Sequence, residues 1–418
     1  MSRTCAGRGG KRGGPDLRGR GGARQPLLAL VLLVAVLAGL VFFQLRRPIP
    51  PVTARQAIAA RTALPGPRPN IPWPQPGIAA LGVTGFGLIE TSPGERALPM
   101  WSIAKVMTAL VVLEDKPLQK DQQGPSITVT DADVQTYRAE LADKQSVVEV
   151  RSGEQLTEYQ ALQALLIPSG NNIGDLLAVW DAGGVSAFVG RMNAKAKALK
   201  LAQTSYADTS GASEQSVSTP TDLTRLALAA VANPVLAEIV AQPEATLPVA
   251  GRVFNVDASL GQGGVEGIKT GSNPGQGAAF MFSAPLKIGG QTVTVVGAVM
   301  GLDTLDEVFR ASRRLIAFAG QAVQLTEVVK DGIEAGVYES PWGGRAALLT
   351  TGSAQLVTWP GTDLLRRLEV PAAAAPVKSG APAGDLYLKL GAQEVRVPLA
   401  TDSGISPPTT AWRLTRLG

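Results

Sequence analysis

Apolar and polar positions divide this chain into stretches of distinct texture. Residues 27–43 are apolar throughout, the short end of a membrane span, and Gln44 and Leu45 lengthen it. The stretch 46–77 carries Pro48, Pro50, Pro51, Pro65, Pro67, Pro69, Pro72, Pro74 and Pro76. Proline lacks an N–H, which excludes regular helix and central strand and predicts a semi-rigid spacer. Residues 78–91 read as a strand, ended by a turn at Ser92-Pro93-Gly94. Residues 106–113 are apolar all round, which predicts a buried helix. A short strand over 126–130 precedes a polar stretch, 131–149, with no clear period. Helices are predicted over 157–167, with Thr157 and Gln160 placed as a capping box, and over 173–180, 185–199 and 223–232. Strands over 265–272, 278–284 and 291–301 follow in a row with short Gly/Pro-rich links, the signature of an antiparallel sheet, and 304–319 closes as a helix.

These elements predict an α+β fold: an antiparallel sheet with an inserted helical cluster over 78–320. Beyond residue 321 short strand candidates alternate with Gly/Pro turns (323–329, 336–338, 346–351, 354–359, 386–390, 394–399), predicting a small all-β C-terminal domain over 321–418. The N-terminal residues 1–26 carry Arg3, Arg8, Lys11, Arg12, Arg18, Arg20 and Arg24 against Asp16 alone and read as a disordered basic tail. With that flank, the positive-inside rule makes 27–45 a transmembrane anchor, its N-terminus cytoplasmic and the remainder outside the cytoplasm. The alternative is a signal peptide cleaved near Val36-Leu37-Ala38, giving a secreted protein; the apolar run continuing past Ala38 favours the anchor.

Composition narrows the chemistry. The chain of 418 residues has no histidine and one cysteine, Cys5, so Ser-His-Asp and Cys-His hydrolases, His-ligated zinc and intrachain disulfides are excluded. The net charge of +5 is concentrated largely at the N-terminus, which argues against a nucleic-acid-binding core. A hydrolase built here must use Ser, Thr, Lys, Asp or Glu.

One stretch offers such chemistry. Ser102 and Lys105 stand three residues apart at the head of the apolar run, hence on one helix face. Burial disfavours a charged lysine, and a neutral lysine beside a serine is a nucleophile–base pair. The plainer reading is a capping serine and a lysine that snorkels. Ser169 and Asn171 fall on a tight turn between two predicted helices, either an ordinary capping turn or a hydroxyl and an amide held toward a cleft. Lys269-Thr270-Gly271-Ser272 lies on a predicted strand.

Three elements therefore stand in one order: Ser102-x-x-Lys105, Ser169-Gly170-Asn171 and Lys269-Thr270-Gly271. Each is weak alone; together, at a helix start, an inter-helix turn and a strand, they resemble the motif set of penicillin-binding proteins and class A β-lactamases. The flanks Pro99-Met100, Met107-Thr108-Ala109-Leu110, Leu166-Ile167-Pro168, Ser218-Thr219-Pro220-Thr221-Asp222-Leu223 and Gly267-Ile268 narrow this to a resemblance to the D-alanyl-D-alanine carboxypeptidase family, the low-molecular-mass penicillin-binding proteins. The resemblance covers roughly residues 78–320. It implies a β-lactamase/transpeptidase-like fold and a penicillin-inhibited serine carboxypeptidase that trims the terminal D-alanine from peptidoglycan stem pentapeptides. It also implies Ser102 as nucleophile, Lys105 as base, and Ser169 with Lys269 in the proton path to the leaving amine. Substrate contacts then fall to Asn171, Lys269, Thr270, Gly271 and Ser272, with no cofactor or metal.

Several departures qualify the resemblance. Trp101 stands where the family usually has a small residue, Ser272-Asn273-Pro274 follows the third motif, and residues 303–308 are acidic where relatives often carry a basic carboxylate clamp, leaving Arg310 as the nearest candidate. Gly170 replaces the Asp usual in class A β-lactamases. No counterpart of that class's deacylating glutamate is found, since Glu154 and Glu158 precede the second motif. The alternatives are a D,D-endopeptidase or weak β-lactamase on the same fold, or a non-catalytic wall-binding scaffold. The partners expected are stem peptides, β-lactams and the membrane, with no nucleic acid.

Overall fold

The computed structural model describes residues 24–64 and 69–416. The apolar N-terminal run forms a helix, Arg24–Arg46, whose stretch Pro26–Arg46 is long and apolar enough to cross a membrane. The basic tail lies outside the described residues as far as residue 23.

The central body is built on a five-stranded antiparallel sheet, in spatial order Ile268–Asn273, Gly277–Ile288, Gln291–Leu302, Ile78–Val83, Gly87–Thr91. The stretch read as one strand over 78–91 is a hairpin, because Thr84-Gly85-Phe86 turns the chain, with Gly85 at φ +87°. Sequence-early and sequence-late strands join where Ile78–Val83 pairs with Gln291–Leu302, and the helices between them are an insertion that folds on one face.

Alternation along the strands separates two cores. Met281, Val296, Ala298 and Met300 face the helical cluster, whereas Phe280, Phe282, Val295 and Val299 face the closing helix Leu305–Ala322. There the Phe280 ring meets Phe309 edge-on, centroids 5.0 Å apart. The helical cluster comprises Ala104–Asp115, Asp131–Ala142, Glu158–Leu166, Asn171–Ala182, Val185–Ala198, Pro220–Ala232 and Pro234–Val240. The polar stretch after residue 130 is thus a helix. Its start is fixed by a capping box, Thr130 with Asp133, and its apolar side is so thin that no residue of it is buried. The Thr157–Gln160 box is present as read.

The proline-rich stretch does not run free as a spacer. Thr53–Gln56 and Arg61–Ala63 are the two edge strands of a seven-stranded antiparallel sheet otherwise made by the C-terminal region. Its inner strands are Glu334–Glu339, Arg345–Thr350, Gln393–Thr401, Pro382–Leu390 and Asp363–Glu369. Edges are where proline's missing donor does least harm, and both strands fall in the one gap between Pro51 and Pro65. Val52 adds a bridge to Ala373. The strand Asp363–Glu369 escapes sequence reading because Arg366 and Arg367 break its apolar alternation.

The stitched edges give a test. A chain beginning at residue 48 should melt as the full chain does. One beginning at residue 70 should lose at least about 1 kcal/mol in the C-terminal domain, about 4–8 °C in Tm for a domain of that size, read by calorimetry. Equal melting would show that the edge strands contribute nothing.

Candidate active site

Ser102 lies in a single 3-10 turn, Trp101–Ile103, that leads into the helix Ala104–Asp115. Trp101 before it adopts a left-handed backbone, φ +50°, uncommon for a bulky residue and tolerated only where surroundings enforce it. Lys105, one turn on, is fully buried. Its Nζ lies 2.8 Å from Ser102 Oγ, 2.6 Å from Asn171 Oδ1 and 3.1 Å from the Ser210 carbonyl oxygen. Burial drives the Lys105 amine well below its ordinary range. The charge of Lys269 pushes the same way, against weaker opposition from Asp208 and Glu140.

In the neutral form these contacts fix the amine's valences, whereas an ammonium would donate to all three neighbours. A neutral amine has two N–H bonds and one lone pair. Asn171 Oδ1 and the Ser210 carbonyl can only accept, so they take both protons. The lone pair is left for the third neighbour, the Ser102 hydroxyl, which can donate to it.

Each acceptor is itself held. Asn171 opens the helix Asn171–Ala182, and its Nδ2 donates to Gln145 Oε1 at 2.6 Å, which orients the amide. Ser210 sits on a loop gathered by Asp208. The Asp208 carboxylate accepts from Gly211 N (2.6 Å), Ser216 Oγ (3.0 Å) and Ser213 N. Thr108 Oγ1 then ties the loop to the lysine's helix through the Thr209 carbonyl, 2.6 Å. Gln145, Asp208 and Ser210 escaped sequence analysis: Gln145 acts across 26 residues, Asp208 orders only its own loop, and Ser210 acts through its backbone, where residue type carries no signal. Glu140, with a buried, unpartnered Oε2 among the described residues, has its carboxyl pushed up to about 7, by burial first and then by Asp175.

Ser169 is buried in the turn between Glu158–Leu166 and Asn171–Ala182, also left-handed at φ +68°. Its hydroxyl makes no hydrogen bond to Lys105 or Lys269 among the described residues. Gly170 is enforced by packing: a Cβ there would stand 2.8 Å from Val148 Cγ2 and 3.0 Å from the Ala164 carbonyl oxygen.

The strand Ile268–Asn273 runs along the sheet edge against the nucleophile's turn. A Cβ on Gly271 would come within 2.5 Å of the Met100 carbonyl oxygen, so only glycine allows this approach. Lys269 lies opposite Met281, a residue of the helix-facing core. It is buried, its Nζ reaches only the Thr270 carbonyl among the described residues, at 3.3 Å, and burial brings it down to about 7 against the opposing charge of Asp257. Thr270 is buried and Ser272 exposed. Arg310 does not reach the cleft. It is exposed on the helix that covers the opposite sheet face and pairs with Asp306, one turn away.

Comparison with known proteins agrees with this geometry. Residues 84–304 match the profile of a family described as D-alanyl-D-alanine carboxypeptidase. A D-alanyl-D-alanine endopeptidase of Pseudomonas aeruginosa is 34% identical over 194 residues, 45% of this chain and 59% of that protein. The D-alanyl-D-alanine carboxypeptidase DacB2 of Mycobacterium tuberculosis is 35% identical over 158 residues, 36% of this chain and 49% of that protein. The match thus spans only about half to three fifths of these relatives' length. Among solved structures, the Streptomyces K15 DD-transpeptidase superposes with a TM-score of 0.52 at 24% identity, covering 60% of this chain and 98% of that one, a likeness of fold.

Gln145→Ala should leave the Asn171 amide without its acceptor, costing about 1–3 kcal/mol. The expected result is at least a tenfold slower acylation of Ser102, followed by mass spectrometry, with an unchanged circular dichroism spectrum. An unchanged rate would mean that Asn171 is held without Gln145.

Proposed function

The chain belongs to the D-alanyl-D-alanine carboxypeptidase family, and from that premise we propose that it is a membrane-anchored serine carboxypeptidase of peptidoglycan stem peptides. The observation that carries this reading is the 2.8 Å pairing of Ser102 with a buried lysine whose other two valences are committed. Ser102 Oγ attacks the carbonyl between the two terminal D-alanines as its proton passes to Lys105 Nζ. The tetrahedral oxyanion is received by the backbone N–H groups of Ser102 and Ser272, each worth about 2.7–4 kcal/mol in hydrolases of this kind. Ser169 relays the proton held by Lys105 to the leaving amine, which returns Lys105 to its neutral form as D-alanine departs. Water, activated by Lys105, then releases the acyl group. Asn171 meets the substrate's backbone, and Lys269 with Thr270 meets its terminal carboxylate, the role that Arg310 is too distant to fill. Gly271 lets the strand come close enough for this alignment. Penicillin acylates Ser102 by the same route and leaves slowly. The helix Pro26–Arg46 spans the membrane with the basic tail in the cytoplasm and the catalytic body outside.

A second reading, D,D-endopeptidase, is favoured by the name of the Pseudomonas relative and by the absence of a basic clamp at residues 303–308. Both readings share the acylation chemistry and differ in the leaving group.

Three results are expected. Wild type should release D-alanine from a synthetic pentapeptide ending in D-Ala-D-Ala and Ser102→Ala should not; release from crosslinked dimers alone would select the endopeptidase. Lys105→Ala should keep the fold and lose acylation by at least about a hundredfold, the low end for a positioned base; near wild-type acylation rejects the role. The pH profile of kcat/KM should be bell-shaped. Its acid limb reflects Lys105, which works only when neutral, and its alkaline limb falls near pH 7 as Lys269 loses its charge. An alkaline limb near pH 10 would contradict the assignment of Lys269.

A further inference from the structure

The helix Arg24–Arg46 ends at a cluster of arginines brought together from distant parts of the chain. A helix finishes with carbonyls that no later N–H of its own reaches, and these need other donors. Here the donors come from the C-terminal segment. Arg416 donates to the carbonyl oxygens of Arg47 (2.8 Å), Pro48 (2.9 Å) and Gln44 (3.4 Å), and Arg413 donates to that of Leu45. Gln44 Nε2 returns a bond to the Arg416 carbonyl at 2.8 Å. The short helix Thr410–Thr415 is thereby clasped to the foot of the apolar helix.

The clasp gathers positive charge. Arg46 lies over the Phe42 ring, 4.9 Å from its centroid, and Arg47 donates to Gln44 Oε1 at 3.2 Å. Among the described residues, Arg46, Arg47, Arg413 and Arg416 meet carbonyls, one side-chain amide and aromatic rings, and no carboxylate. Their charge is therefore open to an anion from outside the chain. Arginine on the translocated side of a span runs against the positive-inside tendency, so its presence there calls for a partner. Apolar groups face outward around the cluster: Phe43 is 68% exposed, and Ile49 and Leu414 are each 39% exposed. The Trp412 ring stands edge-on to Trp342, centroids 5.6 Å apart, with Arg416 over it at 5.5 Å. Tryptophan, arginine and exposed apolar side chains together are what a surface at headgroup level carries.

We propose that this cluster is a binding surface for anionic phospholipid headgroups in the leaflet facing away from the cytoplasm. The guanidinium groups meet the lipid phosphates, for which their planar forks are suited. Trp412, Ile49 and Leu414 enter the headgroup layer. Position selects lipid as the occupant, because the cluster ends a membrane span and stands where headgroups are. The C-terminal domain is then held to the bilayer through the clasp and the lipid together. The inference rests on the membrane-spanning reading above.

The test is the lipid that the full chain keeps. Protein reconstituted in vesicles of equal parts phosphatidylglycerol and phosphatidylcholine is extracted in detergent and washed on an affinity column, and its retained lipid is counted by mass spectrometry. Wild type should hold phosphatidylglycerol over phosphatidylcholine by at least about fivefold, the effect of a single arginine at a charged membrane surface. Arg46→Gln combined with Arg47→Gln removes two charges, yet neither side chain donates to the carbonyls that fasten the clasp. That variant should lose most of the preference, whereas Arg46→Lys with Arg47→Lys should keep most of it. No preference in wild type, an unchanged preference in the glutamine variant, or an equal loss in the lysine variant would each overturn the proposal. Lipid that washes away in millimolar inorganic phosphate, but not in chloride of equal ionic strength, would also overturn it by assigning the cluster to a free anion. A wild-type chain that fails to float with vesicles of phosphatidylcholine alone would overturn the membrane-spanning reading itself, and this inference with it.

Discussion

The site depends on the valences of one amine. Lys105 is sealed from water, where a charge with no counter-ion in contact is expensive. Two fixed acceptors take its two protons and turn its lone pair toward Ser102. Much of the helical cluster serves to hold those acceptors still. The helix Asn171–Ala182 and Gln145 hold the amide, and the Asp208 loop holds the carbonyl. The same burial that makes Lys105 a base makes the pocket intolerant of error, because an acceptor lost from it leaves a buried polar group unpaired.

The sheet does the remaining positioning. Its two faces are packed independently, one by the inserted helices and one by the closing helix. The edge strand Ile268–Asn273 can therefore lie against the nucleophile's turn without being displaced from either side. Two residues in left-handed backbone conformations, Trp101 and Ser169, bracket this junction. Such outliers persist where the surrounding structure over-determines them, as it does here between a buried tryptophan, a packed turn and a strand with no Cβ at Gly271.

Much of this was legible in the sequence, for physical reasons. The helix Ala104–Asp115 announces itself because a run buried on all sides must be apolar on all sides. Thr157 and Gln160 mark their helix start because a cap needs those side chains. Ser102, Lys105 and Asn171 were legible as motif residues, and the structure places their polar atoms in contact. The misses have causes as definite. Arg310 was nearest in sequence to an expected function, but helical periodicity turns it to solvent beside Asp306. The edge strands Thr53–Gln56 and Arg61–Ala63 were hidden because proline density argues against strand and cannot report the partner that an edge finds hundreds of residues later. Gln145 carries no local pattern; its meaning lies in the amide it meets across the fold.

The most direct test of the central claim is the protonation state of Lys105 itself. A pH titration of the full chain with its lysine side chains carbon-13 labelled at Cε, the Lys105 signal assigned through Lys105→Arg, reads it by nuclear magnetic resonance. The account predicts that Lys105 keeps the signal of a neutral amine to a pH well below that at which an ordinary lysine takes up its proton. A Lys105 signal that stays that of an ammonium group until pH rises toward the ordinary lysine value of about 10.4 would contradict it.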